Sequence, residues 1–124
     1  MRRGSSPAGG TRARDGALAE DLALDHLRGR GLTLVARNHR CRQGEIDLVM
    51  RDGDVLVFVE VRLRAAGALV GAAESIDAHK QRRVIAAARH FLAGRGDPPC
   101  RFDCVVLDRP DAQAVRWIRN AFEA

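Results

Sequence analysis

Four ionisable residues crowd one stretch of this chain. In GEIDLVMRDGDVLVFVEVRLR, Gly44 to Arg64, the acids Glu45 and Asp47 precede a turn signal and Glu60 and Arg62 follow it. Carboxylates that share one end of a two-stranded ribbon repel each other, and a cation relieves the repulsion. A hard divalent ion such as Mg²⁺ suits that role, because it takes oxygen from one or two carboxylates and completes its shell with water and phosphate. The same acids also fit a solvated strand end that Arg62 and Arg64 neutralise.

The ribbon that positions these groups reads as a β-hairpin. Asp52-Gly53 is a strong two-residue turn signal, since both residues tolerate the positive φ such turns require. With that pair at the tip, Arg51 faces Asp54, Met50 faces Val55, Leu48 faces Val57 and Ile46 faces Val59. One face is then apolar, with Ile46, Leu48 and Met50 beside Val55, Val57, Val59 and Val61. The other carries Val49, Leu56 and Phe58 near the tip. At its far end Glu45 stands opposite Glu60, with Asp47 as the diagonal neighbour, Cα atoms roughly 7–8 Å apart.

The chain has 124 residues, 46% of them apolar, which supports one domain with one core. No apolar run is long enough to span a membrane and no secretory leader follows Arg2 and Arg3, so a cytoplasmic protein without membrane contact is expected. Cys41, Cys100 and Cys104 lack the spacing of a metal site and are expected as free thiols. The net charge of +5 is concentrated at the start: residues 1–14 hold four arginines and no acid, and the remainder has 17 basic and 16 acidic groups. Residues 1–14 are therefore expected as a disordered basic arm and 15–124 as the folded domain. Of the 21 basic residues, Lys80 alone is lysine.

A helix is predicted from about Arg14 to Arg30, with Leu18, Ala19, Leu22, Ala23, His26 and Leu27 as its apolar stripe and Glu20 at the border. Leu32–Arg37 reads as a strand and Asn38–Gln43 as a polar turn whose Arg40 and Arg42 suit phosphate contacts. After the hairpin, residues 65–75 read as a mobile Gly- and Ala-rich loop. A second helix, capped at Ser75 or Asp77, runs to about Ala93 on Ile76, Val84, Ala87, Ala88, Phe91 and Leu92. Strands at 101–107 and 114–119 complete an α/β mixed sheet, order α-β-β-β-α-β-β.

That order, with an acid on the second strand and Glu-x-basic on the third, resembles the restriction-endonuclease-like nucleases. Ala-Leu-Ala-Glu-Asp-Leu-Ala at 17–23, Arg-Asn at 37–38, Gly-Glu-Ile-Asp-Leu-Val at 44–49, Phe-Val-Glu-Val-Arg at 58–62, Lys80-Gln81, Arg-Phe-Asp at 101–103 and Asn-Ala-Phe at 120–122 resemble the YraN family of uncharacterised bacterial proteins. That family is similar to Holliday-junction-resolvase-type nucleases. The resemblance implies a metal-dependent endonuclease acting on DNA, branched or structured, with Mg²⁺ or Mn²⁺ as cofactor. It assigns metal binding to Asp47, Glu60, the Val61 carbonyl and Glu20, and catalytic roles to Asp47, Glu60, Arg62, Glu20 and Lys80; Arg40, Arg42 and Arg64 are the candidate nucleic-acid contacts. Position 62 departs from the motif, which has lysine there. Arginine stays charged and has no acceptor, so Arg62 can stabilise a phosphorane but cannot act as a base. Two other readings stay open: a nucleic-acid-binding module of this fold without catalysis, and a protein-interaction domain, for instance a homodimer joined at a sheet edge.

Overall fold

The computed structural model describes residues 7–64 and 76–124. Its elements are α1 (Pro7–Gly29), β1 (Thr33–Cys41), β2 (Gly44–Asp52), β3 (Val55–Leu63), α2 (Ala78–Leu92), β4 (Cys100–Leu107) and β5 (Val115–Phe122), with a short 3-10 turn at Ala112–Ala114. The predicted α/β order is observed. The five strands lie in the order β1-β2-β3-β4-β5, antiparallel except for β3 and β4, which run parallel. A parallel neighbour needs a crossover, and α2 lies on that connection. The expected loop at 65–75 and the expected disorder of residues 1–6 lie outside the described residues.

β3 is the middle strand, and its sequence VLVFVEVRL is apolar on both faces, as a strand covered from both sides requires. On one face Leu48, Met50, Val57, Val59, Val105 and Leu107 pack with Ala19, Ala23, Leu24 and Leu27 of α1. On the other, Ile46, Val49, Leu56, Phe58, Phe102, Cys104 and Val106 pack with Val84, Ala87, Ala88 and Phe91 of α2. None of the described helices is long and apolar enough to cross a membrane.

Three differences from the sequence reading matter. α1 begins at Pro7 rather than Arg14, inside the stretch expected to be unstructured; proline fits a first helical position, where its missing N–H costs nothing. Its stripe also turns slightly, so that Leu24 is buried while Leu18 is 43% exposed. β1 runs through the expected turn to Cys41, leaving Arg42-Gln43 to reverse the chain.

The largest correction is the hairpin register. Gly53-Asp54 forms the tip, Gly53 takes the left-handed φ of 61°, and Asp52 pairs with Val55, Met50 with Val57 and Leu48 with Val59. Asp52-Gly53 and Gly53-Asp54 both present a glycine to the turn, and the two placements preserve which face each side chain takes. The observed one stacks the pairs Leu48–Val59 and Met50–Val57 under α1. Glu45 therefore does not face Glu60. It pairs with Arg40 across β1, at 3.2 Å, and Asp47 takes the place beside Glu60.

Candidate metal-binding carboxylate site

Alternation of faces breaks at Asp47. Leu48 and Met50 point toward α1, yet Ile46 points toward α2, against the expectation that all three share a face. The partner strand turns over at the same level: Arg37 reaches acids of α1 while His39 meets His90 and Phe91 of α2. Between them Asn38 has φ 52°, a left-handed conformation that asparagine tolerates better than most side chains. Paired registration of β2 with β3 ends at Leu48–Val59. In place of the next ladder bond, the Val61 N–H donates to the Asp47 carboxylate at 2.8 Å. The kink thus aims the Asp47 side chain into the gap between diverging strands.

Glu60 lies on the α2 face of β3, in register with Cys104 of β4, and is 1% exposed. A lone charge buried in a central strand is costly, so a partner is required. Lys80 provides it, with Nζ 2.8 Å from Glu60 Oε2. The helix start fixes that lysine. Asp77 is the N-cap and accepts from the Lys80 N–H at 2.8 Å, buried Ile76 anchors the entry, and Gln81 Nε2 donates to the Ile76 carbonyl. The other Glu60 oxygen, Oε1, is buried and no N–H reaches it, while the Asp47 carboxyl hydrogen-bonds to the Glu60 side chain.

Burial, and then the neighbouring Glu60, push the Asp47 carboxyl up to about 8. Burial foremost, and Glu60 with it, raises the Cys104 thiol to about 12, so that thiol is an inert wall of the site. The three cysteines are free. Glu20 on α1 is raised too, by burial first and by Asp47 second, but it is held by Arg37 at 3.6 Å and by a hydrogen bond with Asn38.

The structure therefore brings together Asp47, Glu60 and Lys80, with Val61 as a backbone neighbour, and leaves Glu20 in the grip of Arg37. Among the described residues no three His, Cys, Asp or Glu side chains form a group that could hold a metal. Two carboxylates and a backbone carbonyl still suit a magnesium-like ion, which keeps most of its water. The Val61 carbonyl projects to the same strand edge as its N–H, toward Asp47. Glu60 Oε1, which no N–H reaches, is the other sign of fit. Arg62, next but one on β3, forms no ion pair among the described residues, whereas Arg64 is largely buried and turned to Asp108 at 3.7 Å. Arg42 is exposed on the β1–β2 turn. Asn38 escaped the sequence reading as a site residue, although its left-handed preference was the available signal.

The profile of the Uncharacterised protein family UPF0102 matches residues 19–107, a span holding every residue of this site. The chain belongs to the UPF0102 family. Its relatives include UPF0102 proteins of Cupriavidus taiwanensis, 58% identical over 88% of this chain and 82% of its own length, and of Stutzerimonas stutzeri, 53% identical over 88% and 94%. The UPF0102 protein of Methylobacillus flagellatus is 51% identical over 86% of this chain and 94% of its own length. The YraN-type motifs and the UPF0102 match are one family relation.

Proposed function

We propose that this UPF0102 protein is a divalent-cation-dependent phosphodiesterase acting on DNA, with a restriction-endonuclease-like site at the diverging ends of β2 and β3. One observation carries the reading: the buried Glu60 and the half-buried Asp47 crowd together against a single ammonium, and no N–H reaches Glu60 Oε1. With both acids ionised that arrangement is undercompensated, two negative charges against one cation. It is suited to accepting a further positive charge.

Asp47, Glu60 and the Val61 carbonyl would hold the cation, Mg²⁺ or Mn²⁺, which when bound supplies Lewis-acid activation of water and of phosphate oxygens. Lys80 answers the difficulty posed by Arg62. The ammonium that the motif places two residues after the glutamate comes here from α2, and reaches the same glutamate at 2.8 Å. Arg62 contributes fixed positive charge near the reacting phosphate. Glu20 would join only by leaving Arg37.

The test is cleavage of branched, single-stranded and duplex DNA with Mg²⁺ or Mn²⁺. Wild type is expected to cut at least one of them. Asp47→Asn and Glu60→Gln are expected to lower the rate by at least about a hundredfold, within the range removal of such electrostatic groups costs. No cleavage by wild type, or equal cleavage by Asp47→Asn, refutes the proposal.

A further inference from the structure

The outer face of α2 carries positive charge that the fold does not use. From Ala78 to Gly96 the sequence AHKQRRVIAAARHFLAGRG contains no acid, and Lys80, Arg82, Arg83, Arg89 and Arg95 are its cations. Lys80 is committed to Glu60. Arg82, Arg83, Arg89 and Arg95 are exposed, and none has an ion pair among the described residues. Helices normally support such cations with an acid four residues upstream; here those positions are Ala78, His79 and Ile85 for the first three. α1 contrasts with this. It carries Asp15, Glu20, Asp21 and Asp25 between Arg14 and Arg28.

Beyond the C-terminus of α2 lies a hollow of about 300 Å³ lined by Val35, Arg51, Leu56, Phe91, Arg95 and Pro98. Arg95 stacks over the Phe91 ring at 4.1 Å and its Nε donates to the Phe91 carbonyl, which fixes its guanidinium at the rim. Arg51, exposed on β2, has no ion pair among the described residues. The unpaired cations thus run from Arg82, two residues beyond the lysine that holds Glu60, to Arg51 near the hairpin tip. From Lys80 to its last residue, Leu92, α2 extends roughly 18 Å at helical rise. That length matches the axial rise of about five base pairs of B-form DNA.

We propose that α2 and the Arg51–Arg95 rim form the track for the phosphate backbone of duplex DNA, leading it to the carboxylate site. This rests on the reading of that site as acting on DNA. An anionic membrane is the less suitable occupant. Interfacial helices bury an apolar stripe in lipid, whereas the apolar side of α2 is already packed in the core, and the exposed large apolar residues, Leu18 and Val35, lie on other elements.

The experiment is fluorescence anisotropy of a short blunt DNA duplex with the full chain in EDTA, titrated with salt. Wild type is expected to bind with a steep salt dependence. The triple variant Arg82→Gln, Arg83→Gln, Arg89→Gln is expected to lose affinity by on the order of tenfold or more at low salt and to flatten the log–log slope by about 3. Arg28→Gln with Arg30→Gln, at the end of α1, is expected to bind like wild type, and unchanged thermal melts show that each variant folds. Asp47→Asn is expected to bind at least as tightly as wild type while losing cleavage. If the triple variant binds as wild type does, if both sets of substitutions weaken binding equally, or if the chain binds phosphatidylserine vesicles and no duplex, the track is refuted. A chain that binds through α2 yet cuts nothing refutes the hydrolysis and leaves the track standing. A chain that cuts and binds independently of these arginines does the reverse.

Discussion

Asp47 is the group whose protonation the fold controls most strongly. Its carboxyl rises from the ordinary 3.8 to about 8, through burial first and Glu60 second. A folded-state value above the unfolded one means that the folded chain holds the extra proton between those limits. The stabilisation is fully present below about pH 4 and is lost as pH climbs through 8. Asp47→Asn keeps an acceptor for the Val61 N–H and removes the charge. It is expected to raise stability by about 1–3 kcal/mol above pH 8, several degrees in melting temperature, and to change little near pH 4. Thermal melts of both proteins across that range check it. Mn²⁺ at alkaline pH should raise the melting temperature of wild type and not of Asp47→Asn, because a ligand stabilises only the state that binds it. A variant that melts lower than wild type at high pH would show that the Asp47 charge is already compensated by the protein. At this scale the sequence was informative: Asp47 and Glu60 stood out by type and spacing, and Lys80 by being the lone lysine. Glu45 misled because its place depended on the turn, where two glycine-containing pairs compete. The hold of Arg37 on Glu20 was invisible, since it joins a helix to a strand through a kink.

The elements are seated by close approaches that side-chain patterns do not announce. Gly44 opens β2 directly beneath α2, and a Cβ there would lie 2.3 Å from the Arg83 carbonyl oxygen and 2.8 Å from its carbon. Those are backbone atoms, so α2 itself would have to move. Lys80 lies on the preceding turn of the same helix, and its reach to Glu60 depends on that seating. Gly44→Ala is therefore expected to cost about 1–3 kcal/mol, the usual range for overpacking, and to weaken the Lys80–Glu60 pair. Urea melts of Gly44→Ala, Lys80→Met and the double variant separate the two effects: Lys80→Met should cost clearly less when residue 44 is already alanine. Equal costs in both backgrounds would mean that Gly44 does not position the lysine. In the sequence, this glycine looks like an ordinary turn residue. Helix periodicity and the Asp77 cap, by contrast, were legible, because they rest on local chemistry that tertiary packing did not override.

Across the whole molecule, two buried acids on opposite faces of the sheet have opposite tasks. Asp103 alternates with Phe102 and Cys104 and so points toward α1, with no exposure at all. It accepts from Arg101 Nε at 3.1 Å, Trp117 Nε1 at 2.9 Å and the Asn120 N–H at 3.0 Å. Asn120 has φ 52°, and the β4–β5 register slips between Phe102 and Cys104, so a bulge in β5 bends its backbone onto this carboxylate. Arg101 and Arg119 then both reach Asp52 at 3.0 Å, tying the hairpin tip to the last two strands. Where Asp47 and Glu60 are left wanting a cation, Asp103 is saturated. Asp103→Asn takes a charged acceptor from Arg101, Trp117 and the Asn120 N–H while Arg101 keeps Asp52, and should cost about 1–3 kcal/mol. Arg119→Gln, on the exposed arm of the same network, should cost about 0–1 kcal/mol. Chemical denaturation gives both values. The decisive comparison is the difference in stability between pH 4 and pH 8 for Asp103→Asn. If Asp103 and the Asp47–Glu60 pair are independent, that difference matches wild type although the variant is weaker throughout. If the pH dependence collapses together with stability, the two faces are coupled through β4, and the site near Cys104 depends on the lock behind it.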